Sequence, residues 1–440
     1  MRAGNYCLVR IEDAACSSVR TASYPVVILF RWTPLLFCLT LVVFLFRPPD
    51  VQLYELDRIA FAVLAVVVLW RALLLRKRLR AASSLIWPMA ALGALASVQA
   101  LAQPFDAQTW SLLAAKFIVP FTMFYLAGLV FEDSETTRPL TYCLLAISAY
   151  LAYLAVIQLA GLDFLVFPRY ILNSDLGLHA DRARGPFLQA VPNGVAITVL
   201  GLVALSLLEH RAVSRWLGWV LLLPIPLAIL ATKTRAVWVS FAGALVWMAW
   251  RKRGAMRRVV LSAACVAAVG VAALWLVPDL TASFQDRAEE SGPIEVRLAL
   301  YEASWGMIRE KPFLGWGPNQ MPREIVARME RYRMDVYTVH NTLLETLLEL
   351  GVVGLVLQAI IFVGLFRLGH EPAQDSSARG SPLVGSLRDV WPLIAAVYLF
   401  NSFFVVMNYQ FVNALIFTFA GILAAQNGRV RDAVLLQYGH

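Results

Sequence analysis

The chain has 440 residues, 60% hydrophobic and only 15% charged, with a mean hydropathy of +0.67. That excludes an ordinary soluble domain, where about half the residues are apolar and about a quarter charged. The formal net charge of +9 would suit nucleic acid, but Arg and Lys gather in short clusters between apolar runs, which is a footprint of membrane topology and implies no nucleic-acid partner.

Residues 1–30 carry Arg2, Arg10 and Arg20 beside Glu12 and Asp13 and lack a compact apolar stretch before a small-residue cleavage site, so no removable signal peptide is expected. Apolar runs near the roughly 20 residues needed to cross a bilayer follow at 33–46, 58–75, 84–102, 110–131, 138–160, 190–208, 216–231, 236–250, 259–277, 343–366, 391–408 and 411–426. The expected fold is an all-α polytopic membrane protein of about twelve transmembrane helices. Pro224 and Pro226 interrupt the run at 216–231, which predicts a bent or incomplete crossing.

Orientation follows from the basic clusters. Arg71, Arg76, Lys77, Arg78 and Arg80 lie in one connection and Arg251, Lys252, Arg253, Arg257 and Arg258 in another, and an even number of spans puts both on one side with the termini. The positive-inside rule makes that side cytoplasmic. The expected organisation is a cytoplasmic N-terminal tail at 1–32, membrane helices at 33–277, a large periplasmic loop at 278–341, further membrane helices at 342–426 and a cytoplasmic tail at 427–440. Residues 370–385 read as a solvated linker. Cys7, Cys16, Cys38, Cys143 and Cys265 fall in the tail or in spans, which implies neither a disulfide framework nor a Cys-based metal site.

The outer side is where composition changes. Residues 161–189 form a polar loop, and residues 278–341 a long one with many charges of both signs; loops of that length in compact proteins usually bear function. Helical spacing predicts helices from Glu295 to Ile308 and from Pro322 to Tyr332, with PFLGWGPNQ between them as a Gly/Pro-rich turn.

Four segments on that side carry candidate chemistry. In RARGPFLQAVPNGVAI, residues 182–197, Arg182 and Arg184 offer guanidinium forks suited to phosphate oxygens, or a surface ion pair with Asp181 or Asp175. TKTR, residues 232–235, puts Lys233 and Arg235 at the outer turn of the bent pair, where they meet an anion or snorkel to headgroups. In residues 295–319, Arg297 and Tyr301 share a helix face, with Glu302 as an alternative salt-bridge partner. TVHNTLLETLLELGVVG, residues 338–354, opens a helix with His340 and Asn341 and continues with Glu345 and Glu349. His340 is the one strong general-base candidate there, since a neutral imidazole takes a proton near pH 7; the plainer reading is a surface His beside an N-capping Asn. Glu345 and Glu349 line a polar cavity or bond to neighbouring loops, and Gly351 and Gly354 read as close-packing positions. Several cations around one His, without a metal-ligand cluster or nucleotide loop, point to group transfer on a lipid-linked phosphate or pyrophosphate.

Together, RGPFLQAVPNGVAI, TKTRAVW, KPFLGWGPN and HNTLLETLLELGVVG resemble the signature segments of the bacterial O-antigen ligase and polymerase superfamily. The resemblance implies a GT-C-type glycosyltransferase with a large periplasmic loop in the Gram-negative inner membrane. The ligases move O-antigen from undecaprenyl pyrophosphate onto lipid A-core, with inversion and without a metal or other cofactor. The carried-over residues are His340 as the motif histidine and Arg235, Arg184 and Arg297 as pyrophosphate-binding arginines, with Lys233 beside them. Arg182, Tyr301, Asn341 and Glu345 are supporting residues, and the register of Arg182 against Arg184 stays open. A polymerase of the same superfamily, or a transporter of polyprenyl-pyrophosphate glycans, would use similar arginines; the transporter would not need His340.

Overall fold

The computed structural model describes residues 32–47, 54–75, 83–177, 179–252, 254–275, 292–329, 339–369 and 381–438. Every regular element among them is helical. In chain order these are α1 (Thr33–Leu45), α2 (Tyr54–Leu74), α3 (Ile86–Leu101), α4 (Ala107–Leu113), a π-helical turn (Ala114–Ile118), α5 (Val119–Val130), α6 (Ser134–Leu159), α7 (Ala190–Glu209), α8 (Arg215–Leu222), α9 (Ile225–Ala231), α10 (Arg235–Arg251) and α11 (Gly254–Trp275). Then come α12 (Gly292–Glu310), α13 (Met321–Arg328), α14 (Thr342–Arg367), α15 (Pro382–Ser402) and α16 (Gln410–Tyr438).

Among the described residues, six helical stretches are long and apolar enough to cross a membrane: Ala107–Val130, Ser134–Leu159, Ala190–Glu209, Thr342–Arg367, Pro382–Ser402 and Gln410–Gly428. Thr33–Leu45, Ile86–Leu101 and Arg215–Ala231 are shorter apolar helices. Together with the composition they make this a multi-pass membrane protein. With lipid as the solvent, apolar burial alone does not drive helix association, so close packing does. Helices α5 and α16 approach so tightly that a Cβ on Gly421 would lie 2.0 Å from the Phe124 carbonyl oxygen. Phe37 meets Phe131 edge-on at 4.9 Å.

Hydrogen bonds sort the helix termini into two ends. At one end Thr137 meets Ser381 at 2.5 Å, His210 meets Asp389 at 2.9 Å, Lys252 meets Glu209 at 2.5 Å, and Arg388 donates to Asn427 at 3.1 Å. At the other end the Arg47 guanidinium joins Gln410 and Ser111, Gln99 donates to the Leu314 carbonyl at 2.8 Å, and Asn401 donates to Ser240 at 3.0 Å. The described parts of the polar loops that the sequence marks as functional lie at this second end.

Two expectations are corrected, the bounds of one span and of the linker before it. The run at 391–408 forms a helix that starts and ends earlier than expected: Pro382 supplies its first turn, Pro392 is accommodated inside it, and it stops at Ser402. The last residues assigned to the 370–385 linker therefore belong to α15. Residues 403–409 leave the helix because local partners capture their backbone: the Thr342 hydroxyl donates to Val405 O and accepts from Met407 N, both at 2.9 Å, and Asn413 donates to Met407 O at 2.9 Å. Irregular backbone at membrane depth is tolerated when protein satisfies it in this way. Helix α16 continues to Tyr438, so the segment expected as a C-terminal tail is helical as far as that residue. The bent crossing is present, as α8 and α9 broken at Leu223 and Pro224.

Candidate functional site

The loop after α6 is folded from within by Arg184. Its side chain is fully buried, and Nε, Nη1 and Nη2 donate to the carbonyls of Ile171 (2.9 Å), Leu176 (2.5 Å) and Asn173. Burial pulls this guanidinium below its ordinary pKa. Asn193, on the first turn of α7, holds the Ala183 carbonyl at 2.8 Å. These bonds hold Ile171, Asn173, Leu176 and Ala183 against one another and against α7, with Arg182 beside them in the chain. Arg182 is half-buried, makes no side-chain hydrogen bond or ion pair among the described residues, and has an Nε shielded from solvent. A shielded charged donor without a partner is costly, and an incoming anion would relieve that cost.

The same loop is tied to the TKTR turn. Ala183 N donates to Ala231 O at 2.9 Å, and Lys233 lies 3.7 Å from Asp181. Lys233 adopts a left-handed backbone (φ 46°), letting the chain reverse between α9 and α10. Arg235 is the first residue of α10; it is exposed, with no side-chain hydrogen bond or ion pair among the described residues. Its position at a helix N-terminus adds the favourable end of the helix dipole to its own charge toward an anion.

His340 stands at the start of α14. It is exposed and left-handed (φ 45°), a conformation costing a non-glycine residue about 1–2 kcal/mol. Such strain clusters at functional sites. Asn341 is the N-cap, its side chain accepting from the amides of Leu343 (3.0 Å) and Leu344 (3.1 Å). Thr342 ties this helix start to residues 405–407, and the Asn401 to Ser240 bond ties the end of α15 to α10. His340 and Arg235 thus belong to helices that begin on either side of one turn of chain. Tyr301 is exposed on α12, and Arg297 falls on the same helix, on a stretch whose side chains lie outside the described residues.

Below His340 is a polar centre only half visible in the sequence. Lys116, on the π-helical turn, meets Glu345 at 2.9 Å and Glu349 at 3.2 Å. Both carboxylates are buried. The signal for Lys116 was available: a lone cation within the apolar run 110–131 is a candidate by default. Glu349 also accepts from the amide of Asn319 at 2.8 Å, so both readings of the glutamates, cavity lining and loop bonding, apply to it.

That contact belongs to a larger splice. Helix α14 breaks at Gly351 (φ 65°, ψ −167°), and the turn at 312–319 inserts its backbone there. Trp316 N and Gly317 N donate to the carbonyls of Leu348 (2.9 Å) and Glu349 (2.8 Å), while Val352 N and Val353 N donate to Pro312 O (2.8 Å) and Phe313 O (3.3 Å). A Cβ at Gly351 would sit 2.2 Å from Phe313 O. This glycine is therefore needed for a left-handed break against a loop, where helix-to-helix packing had been expected. Asn319 also reaches Asp106 (3.3 Å) and Thr109 (3.1 Å) at the start of α4, and Gln320 bonds Gln103 at 2.8 Å. The Thr109 hydroxyl and amide hold the Asp106 carboxyl below its usual pKa. Further out, Arg328 packs over Trp316 and holds the Glu310 carboxyl below the usual range.

Residues 217–359 match the model of the O-antigen ligase family. That match supports a relationship of this chain to the O-antigen ligase and polymerase superfamily. The matched stretch runs from α8 through the TKTR turn, the outer-loop helices, His340 and the break in α14; Arg182 and Arg184 precede it. The superfamily implies a glycosyltransferase-like enzyme of the O-antigen ligase and polymerase type, acting on a lipid-linked glycan and a lipid acceptor. No match was found among curated proteins. Among the described residues no group of His, Cys, Asp and Glu is arranged to hold a metal ion.

Proposed function

We propose that this protein is an O-antigen ligase, transferring O-antigen polysaccharide from undecaprenyl pyrophosphate to a sugar hydroxyl of lipid A-core. The reading places it in the Gram-negative inner membrane as a GT-C-type enzyme of about twelve crossings, with its active site toward the periplasm. The observation that carries it is that a left-handed, exposed His340 and the guanidinium groups of Arg182 and Arg235, which make no hydrogen bond or ion pair among the described residues, all lie at helix starts and loops of one end of the bundle. Support for the orientation comes from the Arg and Lys clusters at 71–80 and 251–258, which the chain order assigns to the opposite end, where exposed Trp32, Trp70, Trp87, Trp216 and Trp250 mark a membrane interface.

In the proposed step His340 takes the proton of the acceptor hydroxyl as its oxygen attacks the anomeric carbon. The bond from that carbon to the pyrophosphate oxygen breaks, the configuration inverts, and undecaprenyl pyrophosphate leaves with the electron pair. Arg182, Arg235, Lys233 and Arg297 stabilise the charge developing on the leaving group. Arg184 acts through the loop it folds and is assigned as a positioning residue. Asn341 fixes the helix start beneath the base, and Glu345, through Lys116, anchors the same helix.

The test is to incubate purified protein in lipid nanodiscs with lipid-linked glycan and lipid A-core. Ligated lipid A-core is the expected product. Lengthened lipid-linked glycan formed without acceptor would make the protein a polymerase, and absence of any new glycosidic bond would remove the transferase assignment.

A further inference from the structure

At the same end of the bundle lies a cavity of about 500 Å³ that none of the candidate pyrophosphate ligands lines. Small-molecule sites commonly span about 300–1,000 Å³. It opens between the end of α1, the start of α2, the start of α4 and the turn before α16. Its polar wall is made by Arg58, Gln108, Ser111 and Asn408, and its aromatic wall by Phe187 and Tyr409.

The two arginines that line it are in different states. Arg47 is committed: its guanidinium meets Asp57 at 3.2 Å, Ser111 at 2.8 Å and Gln410. Arg58 is exposed and has no side-chain hydrogen bond or ion pair among the described residues. The nearest carboxylate in the cavity system, Asp57, is engaged by Arg47 and lines an adjoining space of about 230 Å³ that Arg58 also borders. Among the described residues, the free charge in this cavity is therefore positive. Amides and hydroxyls beside aromatic faces suit a saccharide, and an uncommitted guanidinium suits a phosphate on it.

Two walls of the cavity are continuous in the chain with segments tied to the candidate site. Phe187 belongs to the loop that Arg184 folds, and its ring lies 5.7 Å from that of Phe411. Asn408 and Tyr409 follow the residues that Thr342 holds, two positions after His340 in the chain.

We infer that the cavity lined by Arg58, Gln108, Asn408 and Tyr409 binds the phosphorylated saccharide headgroup of the acceptor glycolipid, with Arg58 as the phosphate ligand. This deepens the transferase reading and rests on it for which substrate occupies the cavity. The binding itself is independent of catalysis.

The experiment is calorimetric titration of the full protein in nanodiscs. The probes are a deacylated, phosphorylated core oligosaccharide, its phosphatase-treated counterpart, and a short-chain polyprenyl pyrophosphate. Arg58→Ala should weaken the phosphorylated oligosaccharide about 10–100-fold, the loss of one charge-assisted bond, with Arg58→Lys between it and wild type. The phosphatase-treated sugar and the polyprenyl pyrophosphate should bind wild type and Arg58→Ala alike. Gln108→Ala should weaken both sugars, because it removes a contact to the saccharide and leaves the phosphate ligand in place. Equal affinity of wild type and Arg58→Ala for the phosphorylated sugar would overturn the site, and a loss confined to the polyprenyl pyrophosphate would hand the cavity to the donor. His340→Ala should leave all these affinities unchanged, so a failed transfer reaction and a failed binding site remain separable.

Discussion

The polar centre around Lys116 and the open mouth around Arg235 stand at the same end of one bundle and treat charge in opposite ways. Around Lys116 each charge has a partner: one ammonium serves two buried carboxylates, and Glu349 further clamps the amide of the inserted turn. Around Arg235 the cations Arg182 and Arg235 make no ion pair or hydrogen bond among the described residues, and His340 is held exposed in a strained backbone. A charge that is already satisfied can hold a helix in place but has little to offer a substrate. A charge left unsatisfied costs the fold something and is available to an incoming anion. The contrast extends to the arginines of a single loop, where Arg184 is spent on three carbonyls and Arg182 is not.

The sharpest way to break this division is to remove the satisfied cation. Lys116→Met leaves two buried carboxylates without their counter-charge and should destabilise the protein by about 3–5 kcal/mol, read as lost yield of monodisperse protein and a lower melting temperature. Adding Glu345→Gln and Glu349→Gln should recover much of that loss; no recovery would mean that the three residues do not act as a unit. Next in size is Gly351→Ala. It imposes a left-handed conformation on a residue with a Cβ and drives that carbon against Phe313 O, at a cost of about 1–3 kcal/mol, and it should loosen the turn at 312–319. Faster hydrogen exchange at Trp316 and Gly317 would report that loosening, and unchanged exchange would show that the splice does not depend on the glycine.

Among the unpaired cations the expected effect on stability is smallest and the effect on chemistry larger. Arg235→Ala should melt like wild type while transfer falls about 10–100-fold, the equivalent of one charge-assisted hydrogen bond of about 1.5–3 kcal/mol. Arg235→Lys should recover only part of it, because an ammonium lacks the planar fork. Wild-type turnover in Arg235→Ala would return that arginine to headgroup snorkelling.

Much of this was legible in the sequence, for identifiable reasons. Apolar length marked five of the six helices long enough to cross to within about four residues, paired prolines marked the break between α8 and α9, and Asn341 before an apolar run marked a helix start. Three features escaped because they depend on partners distant in the chain. The break at Gly351 is stabilised by backbone groups some 35 residues upstream. The unwound turn at 403–409 depends on the Thr342 hydroxyl, and in isolation its apolar residues read as the end of a helix. The choice between Arg182 and Arg184 was open in the sequence because both are arginines in one short loop; their burial and hydrogen bonds set them apart. Lys116 was within reach, as a single cation in an apolar span, and its partners fill one turn of the helix that His340 opens.

The central claim is that the mouth holds a base with cations around it, separable from the scaffold below. The most direct test is the transfer rate of purified His340→Gln with donor affinity measured alongside. An amide keeps hydrogen-bonding capacity but cannot take a proton at neutral pH. The account predicts normal folding, donor affinity close to wild type and transfer reduced by about 10²–10⁴. Near-normal transfer by His340→Gln would contradict it, and lost donor binding would recast His340 as a ligand contact.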